Sequence, residues 1–417
     1  MEKKQKMSKK IVVIGGGAAG MMAAISAAEK GGQVTLLEPN ERLGKKLNIT
    51  GKGRCNVTNN CSMEELMANI PCNGKFLYSV FSRFNSQDTM AFFEALGVPL
   101  KTERGNRVFP QSDSAFDISD ALRFRMRKLN VRWEQDRATA VETEEGAVCA
   151  VATEQKSYAA DAVIIATGGM SYPGTGSTGD GYRMAEALGH TIVEPRGSLV
   201  PLQSDEPDCA RMQGLALKNV ELTVYNQKNK VVFREFGEML FTHFGVSGPL
   251  VLSASAHLRR WNKEHYRLSI DLKPALDEQK LEARILRDLT EQSNRDFEKI
   301  VGGLVPHSMV SVVLDKLHLS GELKAHSVTR EQRRALVELL KKFPVSVMGP
   351  RPVREAIVTS GGIKVGEVQP ATMESKKVAG LYFAGEVLDV DAYTGGFNLQ
   401  IAWATGRTAG ICAAEKE

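Results

Sequence analysis

The chain opens on a short run that is apolar throughout, Ile11-Val-Val-Ile14, the pattern of a strand buried on both faces, and the run stops at three glycines. Residues 18–30 are small and apolar at helical spacing, and residues 33–38 (Gln-Val-Thr-Leu-Leu-Glu) predict a second strand, which completes one β–α–β unit. Helical periodicity follows at about 76–96 and 117–129. Residues 161–167 predict another buried strand ending at Gly168-Gly169, and 191–194 a short further one.

After Pro195 the pattern changes to short apolar–polar alternations over 215–272. Val220-Glu-Leu-Thr-Val-Tyr225 and Val231-Val-Phe-Arg-Glu-Phe236, joined by Asn226-Gln-Lys-Asn229, predict a hairpin. Residues 277–342 are helical and charged, with breaks at Gly302-Gly303 and Ser320-Gly321. Strand pattern returns at 344–368, and 378–417 reads as strand, loop, helix. The expected fold class is α/β. A Rossmann-like domain is built from both chain ends (1–195 and 345–417), interrupted by a β-rich, barrel-like insert (196–273) and a helical subdomain (274–344). A chain of 417 residues calls for more than one core.

Composition adds boundaries. Hydrophobic residues make up 42% and charged residues 25%, and the net charge of +5 is small and interleaved with acids. That balance argues against a dedicated nucleic-acid surface and suits an anionic cofactor or small-molecule substrate. Lys3, Lys4, Lys6, Lys9 and Lys10 precede an apolar run of only four residues, where an export signal needs about 7–15. They read as a solvated tail, and no run approaches the ~20 apolar residues of a membrane span. The six cysteines form no C-x-x-C pair and have no histidine at metal-ligand spacing. Free thiols in a cytoplasmic protein are expected, with no metal, no membrane and no nucleic acid; oligomeric state is not encoded in any pattern found.

Three glycine-rich segments carry the candidate chemistry. In Gly15-Gly-Gly17-Ala18-Ala19-Gly20, Gly15 permits a tight turn, Gly17 lets the backbone approach a diphosphate, and Gly20 lets the helix sit close to the sheet. Free N–H groups at the positive helix end then meet the phosphates, and Glu38, eighteen residues beyond Gly20, is placed for a ribose. The second segment chooses the cofactor. Gly380-Leu-Tyr-Phe-Ala-Gly385-Glu386 ends a strand in Gly-acid, followed by Tyr393-Thr-Gly395-Gly396-Phe397-Asn398 and a helix over about 398–413. Such a helix end beside an isoalloxazine favours the anionic reduced flavin, so the expected cofactor is FAD. The third, Gly174-Thr-Gly176-Ser-Thr-Gly179, repeats the fingerprint after strand 161–167. It is either a second nucleotide site for NAD(P)H or part of the FAD site, and the scarcity of strand after it favours the second. NAD(P)H is then a transient reductant without a domain of its own.

These segments, with Gly44-Lys-Lys46-Leu-Asn-Ile-Thr-Gly51-Lys-Gly53-Arg54-Cys55-Asn56-Val-Thr-Asn59, Ala166-Thr167-Gly168-Gly169, Ser171-Tyr172-Pro-Gly-Thr-Gly-Ser-Thr-Gly-Asp-Gly181 and Phe241-Thr-His243-Phe-Gly-Val-Ser-Gly-Pro249, resemble the BaiN-like (YhiN-type) bacterial flavoproteins in order across nearly the whole chain. The resemblance implies a two-dinucleotide-binding-domain topology with inserts beside the flavin. It implies one of two activities: NAD(P)H-dependent reduction of a conjugated double bond in a 3-oxo bile acid or steroid, or oxidation of an amine such as aminoacetone with peroxide release. Arg42, Lys45, Lys46, Lys52 and Arg54 crowd positive charge beside the phosphate-binding fold and read as cofactor or substrate contacts or as a solvated loop; Cys55 reads as a packed, inert thiol in a cofactor-binding string. His243, Tyr393 and Tyr172 are rival proton donors. The leading expectation is hydride transfer through flavin N5 to an enone. A non-catalytic flavin-binding regulator is the reading from another class.

Overall fold

The computed structural model describes residues 8–415; the lysines at 3, 4 and 6 lie outside them. The chain divides into two units, one running to Ser198 and resuming at Val353, the other Leu199–Pro352.

The apolar runs become a five-stranded parallel sheet in the first unit. Its order is Leu381–Phe383, Ala162–Ile165, Lys10–Ile14, Gln33–Leu37, Arg132–Glu134. Ile11 to Ile14 are at most 4% exposed, as a central strand covered on both faces requires. The strand written last in the chain therefore lies beside one written at 162–165, and the chain ends share one sheet. Two helices lie together in this unit: the first, Ala18–Glu29, and the C-terminal, Phe397–Ala414. A Cβ on Gly406 would fall on the carbonyl of Ala19, and one on Gly410 on the carbonyl of Ala23. Only glycine permits so close an approach. The order of these pairs makes the helices parallel.

The helical pattern at 76–96 is broken in the structure, because Asn85 caps a new helix, Ser86–Ala95, through a capping box with Asp88. The strand expected at 191–194 runs longer, Ile192–Ser198, and pairs antiparallel with Val358–Ile363 in a separate two-stranded sheet. It begins no second nucleotide fold.

In the second unit the hairpin forms as Ala216–Asn226 and Val231–Thr242, inside a seven-stranded sheet. Its first and last strands, Phe343–Ser346 and Gly349–Pro350, do not pair with each other among the described residues. The hydrogen-bond ladder is thus not closed, yet only Val347 and Met348 separate its two edge strands in the chain, a reach of about 11 Å against the ~29 Å between the edges of a flat sheet of this width. The sheet therefore curls far enough to bring its edges together and is barrel-like without closing. Val220, Leu222 and Val224 of the sheet share one hydrophobic cluster with Ile285, Val312 and Leu336 of the charged helices. The β-rich and helical segments share that one core. No helix among the described residues is long and apolar enough to cross a membrane.

Replacing Gly410 by Val should lower unfolding free energy by about 1–3 kcal/mol, the usual cost of forcing bulk into a packed contact. Chemical denaturation of the two proteins measures it, and an unchanged midpoint would refute the close helix contact.

Candidate functional site

The first motif folds as its glycines require. Gly15 has φ +105°, and a Cβ there would lie 2.5 Å from the Ala166 carbonyl oxygen. A Cβ on Gly20 would strike the Gly15 carbonyl, whereas one on Gly17 would meet nothing within 4 Å. Open space therefore fronts the first turn of the first helix, at Ala18 and Ala19. No side chain caps that helix and no acid occupies its first turn, so its positive end is uncompensated. Glu38, 9% exposed, accepts from Gly16 N–H (2.7 Å), Asn40 N–H (3.0 Å) and Asn40 Nδ2 (2.6 Å). The third glycine loop folds onto the same place. Asn40 Nδ2 also donates to the Thr175 carbonyl (3.2 Å), and a Cβ on Gly176 would lie 2.5 Å from Asn40 Nδ2.

The C-terminal helix likewise has no capping side chain and no acid in its first turn. With Ala19 level with Gly406, its first residue lies eight positions further from the matched pair than Ala18 does. At 1.5 Å per residue its N-terminus stands about 12 Å ahead of the first helix's. The unit thus offers two positive helix ends, facing the same way and offset by about the distance that separates a diphosphate from a ring.

Around the second end the notable string is bolted down. Gln400 accepts from Thr58 Oγ1 (2.7 Å) and Thr89 Oγ1 (2.8 Å), Trp403 Nε1 donates to the Val57 carbonyl (2.9 Å), and Asn59 Nδ2 donates to the Gly395 carbonyl (3.0 Å). A Cβ on Gly396 would fall on the backbone of Thr58, so this glycine serves the docking of 57–59. Asn398 clamps the preceding loop, accepting from Ala392 N–H (3.0 Å) and donating to the Ala392 (2.7 Å) and Tyr393 (3.2 Å) carbonyls. Phe397 is 4% exposed and Cys55 fully buried, and burial pushes the Cys55 thiol up to about 12.

Lys46 and Glu386, 340 positions apart, meet at 2.8 Å. Lys46 also donates to Ser171 Oγ (2.6 Å), and Glu386 accepts from Ser171 Oγ (3.0 Å) and Thr359 N–H (2.8 Å). Gly169 packs against this cluster, since a Cβ there would lie 2.9 Å from Glu386 Oε1. Gly385, with φ +76°, itself lies against Ala19 of the first helix, since a Cβ there would be 2.8 Å from the Ala19 Cβ. Burial pushes the Glu386 carboxyl up, but Lys46 and the surrounding donors outweigh it and hold the group below the ordinary carboxylate range. Ser171 and Thr359 were not among the residues expected from sequence. The Ser171-Tyr-Pro-Gly string contained the first; the second sat in text read only as strand.

Arg54 is drawn aside. It forms ion pairs with Glu103 and Asp113 and lies 4.1 Å over the Phe109 ring. Tyr172 is 40% exposed and adopts the left-handed region (φ 51°) immediately before Pro173, a strain of about 1–3 kcal/mol. Tyr393 is partly buried against the core, its N–H donating to the Asn69 carbonyl (3.0 Å). His243 lies in the other unit, exposed at a turn and edge-on to Phe244. Ser375, His190 and Glu367 line up as a hydrolytic triad would, at 2.8 and 3.4 Å. The Ser375 hydroxyl, however, accepts from Lys377 and Val378 N–H and is 7% exposed; the trio is a latch.

The residues fit FAD on this structure's own terms. Asn48 Oδ1, Asn56 Oδ1, Asn59 Oδ1, Thr167 Oγ1 and Thr178 Oγ1 are among the buried polar atoms without a hydrogen-bond partner, unmet valences that a polar cofactor could satisfy. They lie in the same segments as the open space at Gly17 and the two helix ends. Thr167, Gly168 and Gly169 end the strand at 162–165 between them.

A family model described as "HI0933-like protein Rossmann domain" matches residues 9–412. A 3-dehydro-bile acid delta(4,6)-reductase of Clostridium scindens is 32% identical over 94% of this chain and 96% of its own. A ribosomal RNA dihydrouridine synthase of Escherichia coli is 31% identical over 91% of each. Among solved structures, a 3-ketosteroid-delta4-(5alpha)-dehydrogenase from Rhodococcus jostii, in complex with 4-androstene-3,17-dione, shares the fold with TM-score 0.54 at 16% identity, covering 99% of this chain and 98% of that one. The second relative removes the ground on which a low, interleaved charge had excluded nucleic acid.

Glu386→Gln should destabilise the protein by about 2 kcal/mol at pH 7, below the ~3–5 kcal/mol of a fully buried pair because both side chains keep about a fifth of their surface. A depressed carboxylate stabilises above its unfolded pKa and loses that as pH falls. The difference between wild type and variant should therefore be constant above about pH 5 and shrink below about pH 4, as denaturation at a series of pH values measures.

Proposed function

The chain belongs to the HI0933-like Rossmann family of flavin oxidoreductases, and from that premise we propose that it reduces a carbon–carbon double bond conjugated to a carbonyl group. When bound, FAD would supply a hydride from its N5. What carries the reading is that two relatives, each aligned over more than nine-tenths of the chain, are named for saturating such a bond. A 4,6-dienone and the C5=C6 bond of uracil are chemically alike in this respect, since the β-carbon takes hydride and the α-carbon takes a proton.

The chain's own share is electrostatic and positional. The first helix end receives the diphosphate, with Gly15, Gly17, Ala18, Ala19 and Gly20 shaping its approach and Glu38 facing the ribose. The C-terminal helix end, with Gly395 and Gly396 in its turn, places partial positive charge where electron density accumulates. Lys46 and Glu386 set the local charge between the two ends. Tyr172 gives the proton at the α-carbon. It stands exposed and strained next to Ser171, flanked by exposed Met170 (41%) and Ile357 (37%), a rim suited to a flat ring. NAD(P)H is the reductant and docks transiently, because the third glycine loop folds into the first nucleotide site instead of forming a second.

Two acceptor classes fit this reading: a 3-oxo steroid or bile-acid enone, expected first from the sequence, and the uracil ring of an RNA. In an anaerobic titration, NADH or NADPH should bleach the flavin, and a 3-oxo-Δ4 steroid or a uridine-containing RNA should restore its colour. Peroxide formed from an amine, with no response to either nucleotide, would overturn the reading. Tyr172→Phe should slow reoxidation by the acceptor about 100-fold while leaving bleaching by nucleotide unchanged.

A further inference from the structure

The hairpin of the second unit carries a feature the proposed reaction does not use. Along Ala216–Asn226, Val220, Leu222 and Val224 enter the core, which leaves Glu221, Thr223 and Tyr225 on the opposite face. The register sets Phe236 opposite Glu221 and Arg234 opposite Thr223 on one neighbouring strand, and Arg267 opposite Tyr225 on the other. Nothing covers this face at Phe236, which is 61% exposed, or at Arg234, whose side chain is 63% exposed. Phe236 therefore keeps most of its ring in water in mid-strand.

The turn end of this face is cationic. Lys228 and Lys230 stand in the hairpin turn and Arg267 beside them. The Arg267 guanidinium lies 5.0 Å over the Tyr225 ring and donates to Asn229 Oδ1 at 3.2 Å. Of the carboxylates on the face, Glu221 is engaged by Arg234 (2.7 Å) and Asp271 by Lys341 (2.6 Å), while Glu238 stands exposed two residues beyond Phe236, away from the turn. Among the described residues no carboxylate forms an ion pair with Lys228, Lys230 or Arg267.

We propose that this sheet face is a docking platform for single-stranded RNA, so that the uracil acceptor of the proposed reaction is presented as part of an RNA. The RNA identity rests on that reading; the platform rests on the geometry. Bases stack on Phe236 and on the Arg267–Tyr225 plane, which lie about 13 Å apart along the strand direction, four residues at ~3.3 Å each. Lys228 and Lys230 take the backbone phosphates at the turn. An exposed ring on an antiparallel face suits splayed bases, which a duplex hides. The uncompensated cations suit phosphates and oppose an apolar partner.

The test uses full-length protein saturated with FAD and a short fluorescein-labelled oligouridine, read by anisotropy. Phe236→Ala should weaken binding about 5- to 150-fold, and Phe236→Tyr should restore it. Lys228→Ala with Lys230→Ala should lower the slope of log affinity against log salt by about 1.4. Arg330→Ala with Arg334→Ala, on a helix away from the hairpin strands, should do neither. Equal loss in that control, equally tight binding of duplex RNA or of polyglutamate, or self-association abolished by Phe236→Ala would each overturn the platform. Anaerobic reoxidation of the reduced flavin by each acceptor separates the two claims. Reoxidation by the steroid enone without oligouridine binding sinks the platform alone; hairpin-dependent RNA binding in a protein whose reduced flavin is reoxidised by neither the enone nor a uridine-containing RNA sinks the proposed reaction alone.

Discussion

The contact on which the first unit depends is the approach of two helix backbones where Gly406 meets Ala19 and Gly410 meets Ala23. Side chains larger than hydrogen at those two glycines would separate the helices and shift everything the C-terminal helix carries. Gln400 and Trp403 hold residues 57–59 from that helix, and Gly396 admits the Thr58 backbone. The same contact fixes which way the two helix ends point and how far apart they stand. A cofactor with a charged middle and a flat, electron-accepting end then meets positive potential twice, without any cationic side chain at either helix start.

Between those ends the charge is supplied by one pair. Lys46 and Glu386 neutralise each other almost below the surface, and Ser171 and Thr359 complete their hydrogen bonds. An isolated charge there would be costly; a paired one is tolerated and keeps the loops at 44–46, 169–171, 357–359 and 385–386 in register. Arg54 illustrates the opposite outcome, a basic residue in the expected string that is captured by Glu103 and Asp113.

Much of this was legible in the sequence because it is local. Apolar runs located four of the five parallel strands but not Arg132–Glu134, which carries none, and the glycines at 15, 17 and 20 announced a strand–turn–helix whose geometry allows few other residues. The turn at 226–229 located the hairpin, and the breaks at 302–303 and 320–321 separated the helices. What was not legible is long-range. Nothing near Lys46 names Glu386, and nothing near Gln400 says that its amide accepts from Thr58. The curl of the sheet in the second unit depends on Phe343–Ser346 and Gly349–Pro350, neighbours in the chain, joining opposite edges of it. The alternation at 220–236 predicted which residues face outward, but not that Phe236 and three unpaired cations share one patch, which needs the register of three strands.

The order of strands also has a consequence for biosynthesis. Leu381–Phe383 and the helix Phe397–Ala414 are synthesised some two hundred residues after Ala162–Ile165, yet they complete a sheet and a helix pair begun at Lys10–Glu29. Until then the backbone of Ala19 and Ala23 and one edge of Ala162–Ile165 stand uncovered, an exposed surface for chaperones to shield. A ligand that spans both helix ends therefore has no complete site until residues 381–414 have been made and have docked.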